Sequence, residues 1–583
     1  MKITRQQGNN IQITIKNNNK EMKKTTLFLL SAGALLLTAC SGKLGALSAD
    51  NFTVTPNPLE SQTGQVAATI NGSFPQKYMK KKAVVTVIPE LRFQTVNGQM
   101  AVRGESATFQ GEKVRGNDQT IQYQMGGRYA MKSNFTYQPE MQQSELFLTF
   151  DAKVGKKTVK VPDVKVANGV IATSELYKRT LTSAQPAMAL DAFQRIINQK
   201  QDANVKFLIN QAQLRRSELQ NNSVQEFVRL LGEIAKDQEG LRLDGIEVSA
   251  YASPDGGYNL NERLAGQRQE AAAKYVKEQM KKTNTTAPLD TKYTAEDWEG
   301  FQELVGASNI QDKDVILRVL SMYQDPEERE QQIKNISSAF RELADGILPQ
   351  LRRARMTINY DVVGRDDQQI KDQLASDATK LSVEELLYAA TLYENDKNKA
   401  EEAYKKAAEI YPNDARAFNN VALMEYAKGN YSEAANWLAK AAQKGQVLPE
   451  TNANLGLLAL QQGDVQKAEQ LIARATGANG LSEVLGNLHL AQGKYAQAEQ
   501  DFGKLATNSA ALAQLLNKNY AAAATTLANV KNADAITDYL KAIVSARQGN
   551  TSAAAQALAA AVAKDASLRA YAEKDLELTN VQK

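Results

Sequence analysis

At 583 residues, with 43% hydrophobic and 23% charged side chains, the chain is long enough for three or more domains and has the make-up of a soluble globular protein rather than a disordered or membrane-spanning one. Its net charge of +5 comes entirely from residues 1–39, where Lys2, Arg5, Lys16, Lys20, Lys23 and Lys24 outnumber Glu21; the remainder is balanced and offers nothing to attract nucleic acid. One cysteine and one histidine exclude a disulfide within the chain, a Cys–His nucleophile pair and a Cys/His zinc cluster. No paired-carboxylate constellation stands out either, so the expectation is a protein that is not an enzyme and needs no metal or cofactor.

Residues 22–40 carry a basic start, Lys23 and Lys24, and a short apolar core from Leu27 to Leu37, too short to span a bilayer comfortably. Leu37-Thr38-Ala39-Cys40 resembles the lipobox of bacterial lipoproteins. The resemblance implies cleavage before Cys40 and acylation of its sulfur and amine, with outer-membrane lipid as the first partner; several acyl chains hold a protein firmly. Residues 1–40 are thus a signal segment with Met22 as its expected start. Ser41-Gly42-Lys43 contains no aspartate after the cysteine, which favours the periplasmic face of the outer membrane.

Residues 50–180 predict a β-sandwich-like domain. Alternation is visible at 84–88, 120–123 and 145–150, with Asn71-Gly72, Asn97-Gly98, Gly116-Asn117-Asp118 and Gly126-Gly127 as turns. Its TPNPLE and QGEKVRGN segments resemble an uncharacterised domain that precedes OmpA-like domains in envelope lipoproteins, some of them linked to fimbrial gene clusters. Phe74 and Tyr78 are expected to pack in the core or in turns.

Residues 186–365 predict an α+β domain. A lead-in helix is expected over 186–200, a strand over 203–209, a helix capped by Ser223 and running to Lys236, and a strand over 243–250. A turn cluster, Ser253-Pro254-Asp255-Gly256-Gly257, then leads into a helix on which Leu264, Arg268, Ala271 and Tyr275 share a face. An arginine on an inner face needs an anion, from the protein or from a ligand. The closing strand is expected at 355–363, after Arg352-Arg353. Residues 282–350 read as a helical insertion built on Trp298-Phe301-Leu304, Ile316-Val319-Leu320 and Ile333-Ile336-Phe340-Leu343, with Trp298 expected in a core.

The stretch from Ala250 to Gln269 resembles OmpA-like peptidoglycan-binding domains, whose pattern is G-[HY]-T-D-x-x-G followed by N-x-x-L-S-x-x-R-A. Asn261, Leu264 and Arg268 match the second half, and Arg352-Arg353 resemble the entry to the last strand of such domains. In the family an aspartate and an arginine fifteen residues on grip the two ends of diaminopimelate. Arg268 matches that arginine, but the aspartate position holds Ser253, whose hydroxyl cannot neutralise an ammonium group. Asp255 is the candidate replacement. Arg268 either takes a ligand or pairs internally with Asp255 or Glu262.

Residues 380–583 contain an internal repeat: Ala400, Ala434 and Ala468 are spaced by 34, as are Ala407, Ala441 and Ala475. Leu455-Gly456 with Gly463 and Ala468 recurs as Leu485-Gly486 with Gly493 and Ala498. This resembles the tetratricopeptide (TPR) repeat, and implies a solenoid of five to six helix pairs whose groove takes an unidentified protein partner. His489 falls inside a repeat, where packing or exposure is expected, and Tyr571 onward should include a polar cap.

Together these features predict a non-enzymatic outer-membrane lipoprotein that meets peptidoglycan through the OmpA-like domain and scaffolds proteins through the repeats. The alternative is an envelope assembly or secretion accessory whose OmpA-like domain no longer binds the wall.

Overall fold

The computed structural model describes residues 44–310, 313–335, 341–445 and 447–581, so the expectations for Met22, the 22–40 signal and Cys40 lie outside the described residues. The chain divides into two compact units, one ending at Ile171 and one beginning at Ala172, with Ser61–Thr63 grouped with the second.

In the first unit the long strands alternate buried and exposed positions, the mark of a sheet with one face on a core. Gln65–Phe74 pairs antiparallel with Gly127–Thr136, and Ala83–Thr95 with Glu145–Val154. They belong to a five-stranded and a seven-stranded sheet. The two inner faces share one apolar core that includes Leu59, Ile70, Leu91, Met141 and Leu146. Phe74 lies in that core with Tyr78 stacked on it, ring centroids 5.8 Å apart.

Asn71-Gly72 is no turn: both residues lie inside the Gln65–Phe74 strand. Gly72 faces Tyr129 on the neighbouring strand, and a Cβ at Gly72 would sit 2.2 Å from Tyr129 Cζ. The glycine makes room for the tyrosine ring rather than bending the chain. The strands also stop at Ile171, short of the expected 180.

The second unit opens its sheet with Ile196–Lys206 and continues with Leu241–Tyr251, Leu289–Thr294 and Arg353–Val363. Across the sheet the order is first, last, second, third. The helices Asn222–Lys236 and Tyr258–Thr283 share one core with it, built on Val205, Phe227, Leu231, Val248, Ala272, Val276 and Met356. Asn221, not Ser223, caps the first helix, accepting from the Val224 amide at 2.9 Å; Ser223 sits one position inside.

Two expectations are corrected here. No helix forms over 186–200: residues 184–194 have no regular secondary structure and the first strand begins at Ile196. Pro186 lacks a donor for helix bonding, and neighbouring main-chain groups are bonded by side chains from far along the chain. Nor is 282–350 wholly an insertion of helices. Leu289–Thr294 is a sheet strand, parallel to Leu241–Tyr251 with Leu289 opposite Ile246. Beyond it a small helical cluster forms around Phe301, Val305, Ile316, Leu320, Leu343, Ile347 and Leu351. Trp298 packs at its edge, half-buried; Ile336 and Phe340 lie outside the described residues.

The helical part contains six helix pairs among the described residues. They are Val383–Thr391 with Lys397–Ile410, Ala415–Ala427 with Tyr431–Ala442, and Pro449–Gln461 with Val465–Ile472. Leu481–Ala491 with Tyr495–Phe502, Asn508–Leu516 with Tyr520–Ala528, and Ala535–Arg547 with Thr551–Lys564 follow. The alanines spaced by 34 are all buried, five of them in the second helices of their pairs and Ala475 just beyond one. At Gly456 a Cβ would sit 2.5 Å from Ile472 Cγ1, so this pair closes only over a glycine. Leu568 and Leu578 tuck beneath the last pair and close the apolar core of this end.

Candidate functional site

Arg268 lies midway along the Tyr258–Thr283 helix. The buried stripe there runs Asn261, Leu264, Ala265, Arg268, Ala272 and Val276, with Ala271 and Tyr275 half-buried beside it. The arginine is 1% exposed. Its guanidinium donates to three carbonyl oxygens: Nε to Gln211 at 3.0 Å, Nη1 to Tyr251 at 2.9 Å and Nη2 to Leu208 at 3.4 Å. It also stacks 5.2 Å from the Phe207 ring. Burial, together with the nearby Arg352, pulls its pKa down to about 10, against the opposing pull of Asp255, so it remains charged at neutral pH. The internal partners expected for it, Asp255 and Glu262, are not the groups it bonds: Glu262 is exposed, and Asp255 is held by another arginine.

That other arginine is Arg352. Its Nη2 donates to Asp255 Oδ2 at 2.8 Å and its Nε to Ser253 Oγ at 3.1 Å. Ser253 in turn donates its hydroxyl to Asp255. Ser253 therefore bridges the pair. Asn261 ties the loop to the helix by donating to the Gly256 carbonyl at 2.6 Å. Arg353 points the other way, pairing with Asp297 at 2.9 Å. Asp297 also caps the Trp298–Ala307 helix, and its burial raises its pKa against the pull of Arg353. The two adjacent arginines thus fasten the 253–257 loop and the first helix of the insertion to the closing strand. Arg268, Arg352 and Asp255 together leave two guanidinium groups beside one carboxylate.

The second site is the face made by the first helices of the pairs. It holds residues 180–193 of the same chain. Asn454 makes two bonds with Ala187, accepting from its amide at 2.6 Å and donating to its carbonyl at 2.7 Å. Asn420 does the same to Ala189, at 3.0 and 2.8 Å. Asn419 adds a bond to the Ala187 carbonyl and Asn479 one to that of Met188. Tyr426 donates to the Leu181 carbonyl at 2.7 Å, and Glu384 accepts from the Ala192 amide at 2.6 Å. Nearly all of these bonds read main chain, and the side chains pressed inward, Ala184, Ala187 and Ala189, are small. Sequence reasoning missed this site, although Asn420 and Asn454 stand 34 residues apart, at the same position of successive repeats.

Glu483 lies on this face and is 3% exposed. Burial raises its pKa to about 7, against hydrogen bonds from Asn487, the Gln185 amide and Thr507. His489 pairs with Asp501 within its own helix pair. Among the described residues no group of three or more His, Cys, Asp or Glu side chains is placed to hold a metal ion, and no helix is long and apolar enough to cross a membrane.

No protein-family model and no curated protein matches the chain. Among solved structures it is similar to a tetratricopeptide repeat protein from Parabacteroides merdae, at 16% identity over 36% of this chain and 90% of that one, with a TM-score of 0.27. It is also similar to YrrB, a TPR protein with an unusual peptide-binding site, at 18% identity over 36% and 100% of the two chains and a TM-score of 0.21. A third is PilW, a type IV pilus biogenesis factor, at 20% identity over 37% and 89% and a TM-score of 0.21. The solenoid itself is defined by its six helix pairs and their 34-residue alanine spacing.

Proposed function

We propose that this protein is a non-enzymatic cell-envelope scaffold: anchored in the outer membrane through an acylated Cys40, facing the periplasm, associated with peptidoglycan through its OmpA-like domain, and holding protein partners on its TPR array. The observation that carries the scaffold role is the row of asparagines on the first helices, which grips an extended main chain from both its donor and acceptor sides. The wall role draws support from the charge balance around Arg268: two guanidinium groups, Arg268 and Arg352, lie near one carboxylate, Asp255, which is paired with Arg352, and the excess positive charge favours an incoming anion such as the diaminopimelate carboxylate. Asp255 remains the acid for the ammonium end, with Ser253 beside it.

Retention on purified peptidoglycan sacculi tests the wall role. The intact protein should be retained, Arg268→Ala should abolish retention and Asp255→Asn should weaken it. Cys40→Ser should block lipid labelling and release the protein from membranes; unchanged labelling and retention would overturn the anchor.

A second function, an assembly accessory that has lost the wall, is favoured by a separate observation. Arg268 already bonds three carbonyl oxygens, and Asp255 is already paired with Arg352. If the intact protein fails to bind sacculi, that function takes the lead. In either case, crosslinking in intact cells should recover a protein on the repeats.

A further inference from the structure

We propose that residues 184–193 are a displaceable occupant of the solenoid groove, and that the groove accepts in their place an extended peptide from a partner protein, with small side chains at two alternate positions and an amide N–H at each. The proposal deepens the scaffold function and rests on it.

The seated segment shows what the groove recognises. It has no secondary structure of its own between 184 and 194. Asn454 and Asn420 each bond both the amide and the carbonyl of one residue, Ala187 and Ala189, which lie two positions apart and face the same way, as in any extended strand. Those bonds are available to every residue except proline, which has no amide hydrogen. Selectivity must therefore come from room. Ala187 is fully buried and Ala189 nearly so, which leaves space for alanine, serine or glycine and little more. Pro186 is tolerated because no bond to a main-chain amide is made there.

The same geometry makes the segment exchangeable. An incoming extended peptide would re-form the main-chain bonds one for one, so exchange leaves no asparagine unsatisfied. Beyond the seated alanines the Leu190 side chain points to solvent, 58% exposed, and the remaining hold on the segment is the Ala192 amide on Glu384 and the stacking of Phe193 on Tyr388. Leu181, fully buried under Tyr426, marks where the fixed part of the chain ends. What the tether adds is an effective concentration, on the order of millimolar for a short flexible connection. A partner whose side chains reach beyond the two alanines gains contacts that the cis segment lacks and can exceed that value.

Two measurements on the full chain test this. In native-state hydrogen exchange, the amides of Ala187, Ala189 and Ala192 should exchange at least about a hundredfold faster than those in the middle of the Ala415–Ala427 and Pro449–Gln461 helices. Equal rates would mean that the segment leaves only when the solenoid unfolds, and would overturn the proposal. In the second, a labelled peptide with the sequence of residues 180–193 is titrated against the wild type and against Ala187→Asp/Ala189→Asp, whose carboxylates cannot seat. The variant should bind the peptide at least about tenfold more tightly than the wild type. Adding Asn420→Ala and Asn454→Ala should remove that gain, as should proline at the Ala189 position of the peptide. A double variant that gains no affinity, or whose solenoid no longer unfolds cooperatively, would show a fixed structural strut instead. If exchange fails while crosslinking still recovers a protein on the repeats, the scaffold function stands without it. If exchange succeeds and crosslinking recovers none, the scaffold function is what fails.

Discussion

Arg352 reaches back 97 positions to pair with Asp255 at 2.8 Å, while Arg268 directs its donors to main-chain carbonyls. The arginine that the motif singles out is thus also a structural clamp, joining residues 207–211, the end of the Leu241–Tyr251 strand and its own helix. Arg268→Lys keeps the charge but cannot reach three carbonyls with one compact ammonium group. Leaving buried carbonyls unbonded should cost the central domain about 2–3 kcal/mol, read as a lower urea midpoint by circular dichroism. A variant as stable as the wild type would show that these bonds contribute nothing.

Asp255→Asn should lower stability less, by about 1 kcal/mol, because an asparagine oxygen can still accept from Arg352. Arg352→Ala should cost more, since it leaves the Asp255 carboxylate, only 19% exposed, with Ser253 as its remaining partner. The order of the two effects in parallel urea titrations checks the assignment of Arg352 as the main partner.

Stability of the helical part should fall as pH rises through the neutral range. Glu483 has a folded pKa of about 7 and Asp575 one of about 6, both raised by burial above the usual carboxylate range. The folded state therefore binds these protons more tightly than the unfolded chain does. Their stabilising effect is complete below about pH 4, declines across pH 4–7, and is gone above about pH 7. Glu483→Gln should flatten the upper part of that decline, by roughly 3 kcal/mol at most, in urea midpoints compared at pH 5 and pH 8. A wild type with equal midpoints at the two values would contradict the burial assigned to Glu483.

Gly72→Ala should destabilise the β unit by about 1–3 kcal/mol, because its methyl carbon would overlap the Tyr129 ring. Pairing it with Tyr129→Leu should recover part of the loss. Additive losses in the double variant would show that the ring is not what the glycine accommodates.

Removal of residues 380–583 should leave the central sheet folded, since its core and that of the insertion draw no residue from beyond 363. The truncated protein should keep a cooperative transition for that sheet yet associate with itself, because Leu176, Leu181, Ala184 and Ala187 lose the helices that bury them. Thermal unfolding combined with light scattering reads both outcomes.

The repeats were legible because their signal is local and periodic: buried small residues recur every 34 positions. The Leu289–Thr294 strand was hidden because five of its six residues are exposed, so it shows none of the alternation that marks a half-buried strand. The seated segment was hidden for a different reason. Its conformation is set by asparagines more than 230 residues away, and nothing in its own alanines, proline and methionine encodes that. Around Arg268 the helix face could be read from spacing, but the pairing of Asp255 with Arg352 depends on sheet order, which places the start of the sheet's last strand beside the end of its second.

The distance along the chain between Ala187 and Asn454, 267 residues, has a consequence for the order of events at synthesis. At roughly 5–20 residues per second, the segment emerges tens of seconds before the helices that bond it. During that interval its amides and carbonyls have only water as partner, and the strand beginning at Ile196 likewise awaits Arg353–Val363. The β unit, complete by Ile171, can fold at once. Full seating of the segment is therefore among the last steps of folding, and a chain that stops short of the third helix pair would leave Ala187 without its two bonds to Asn454.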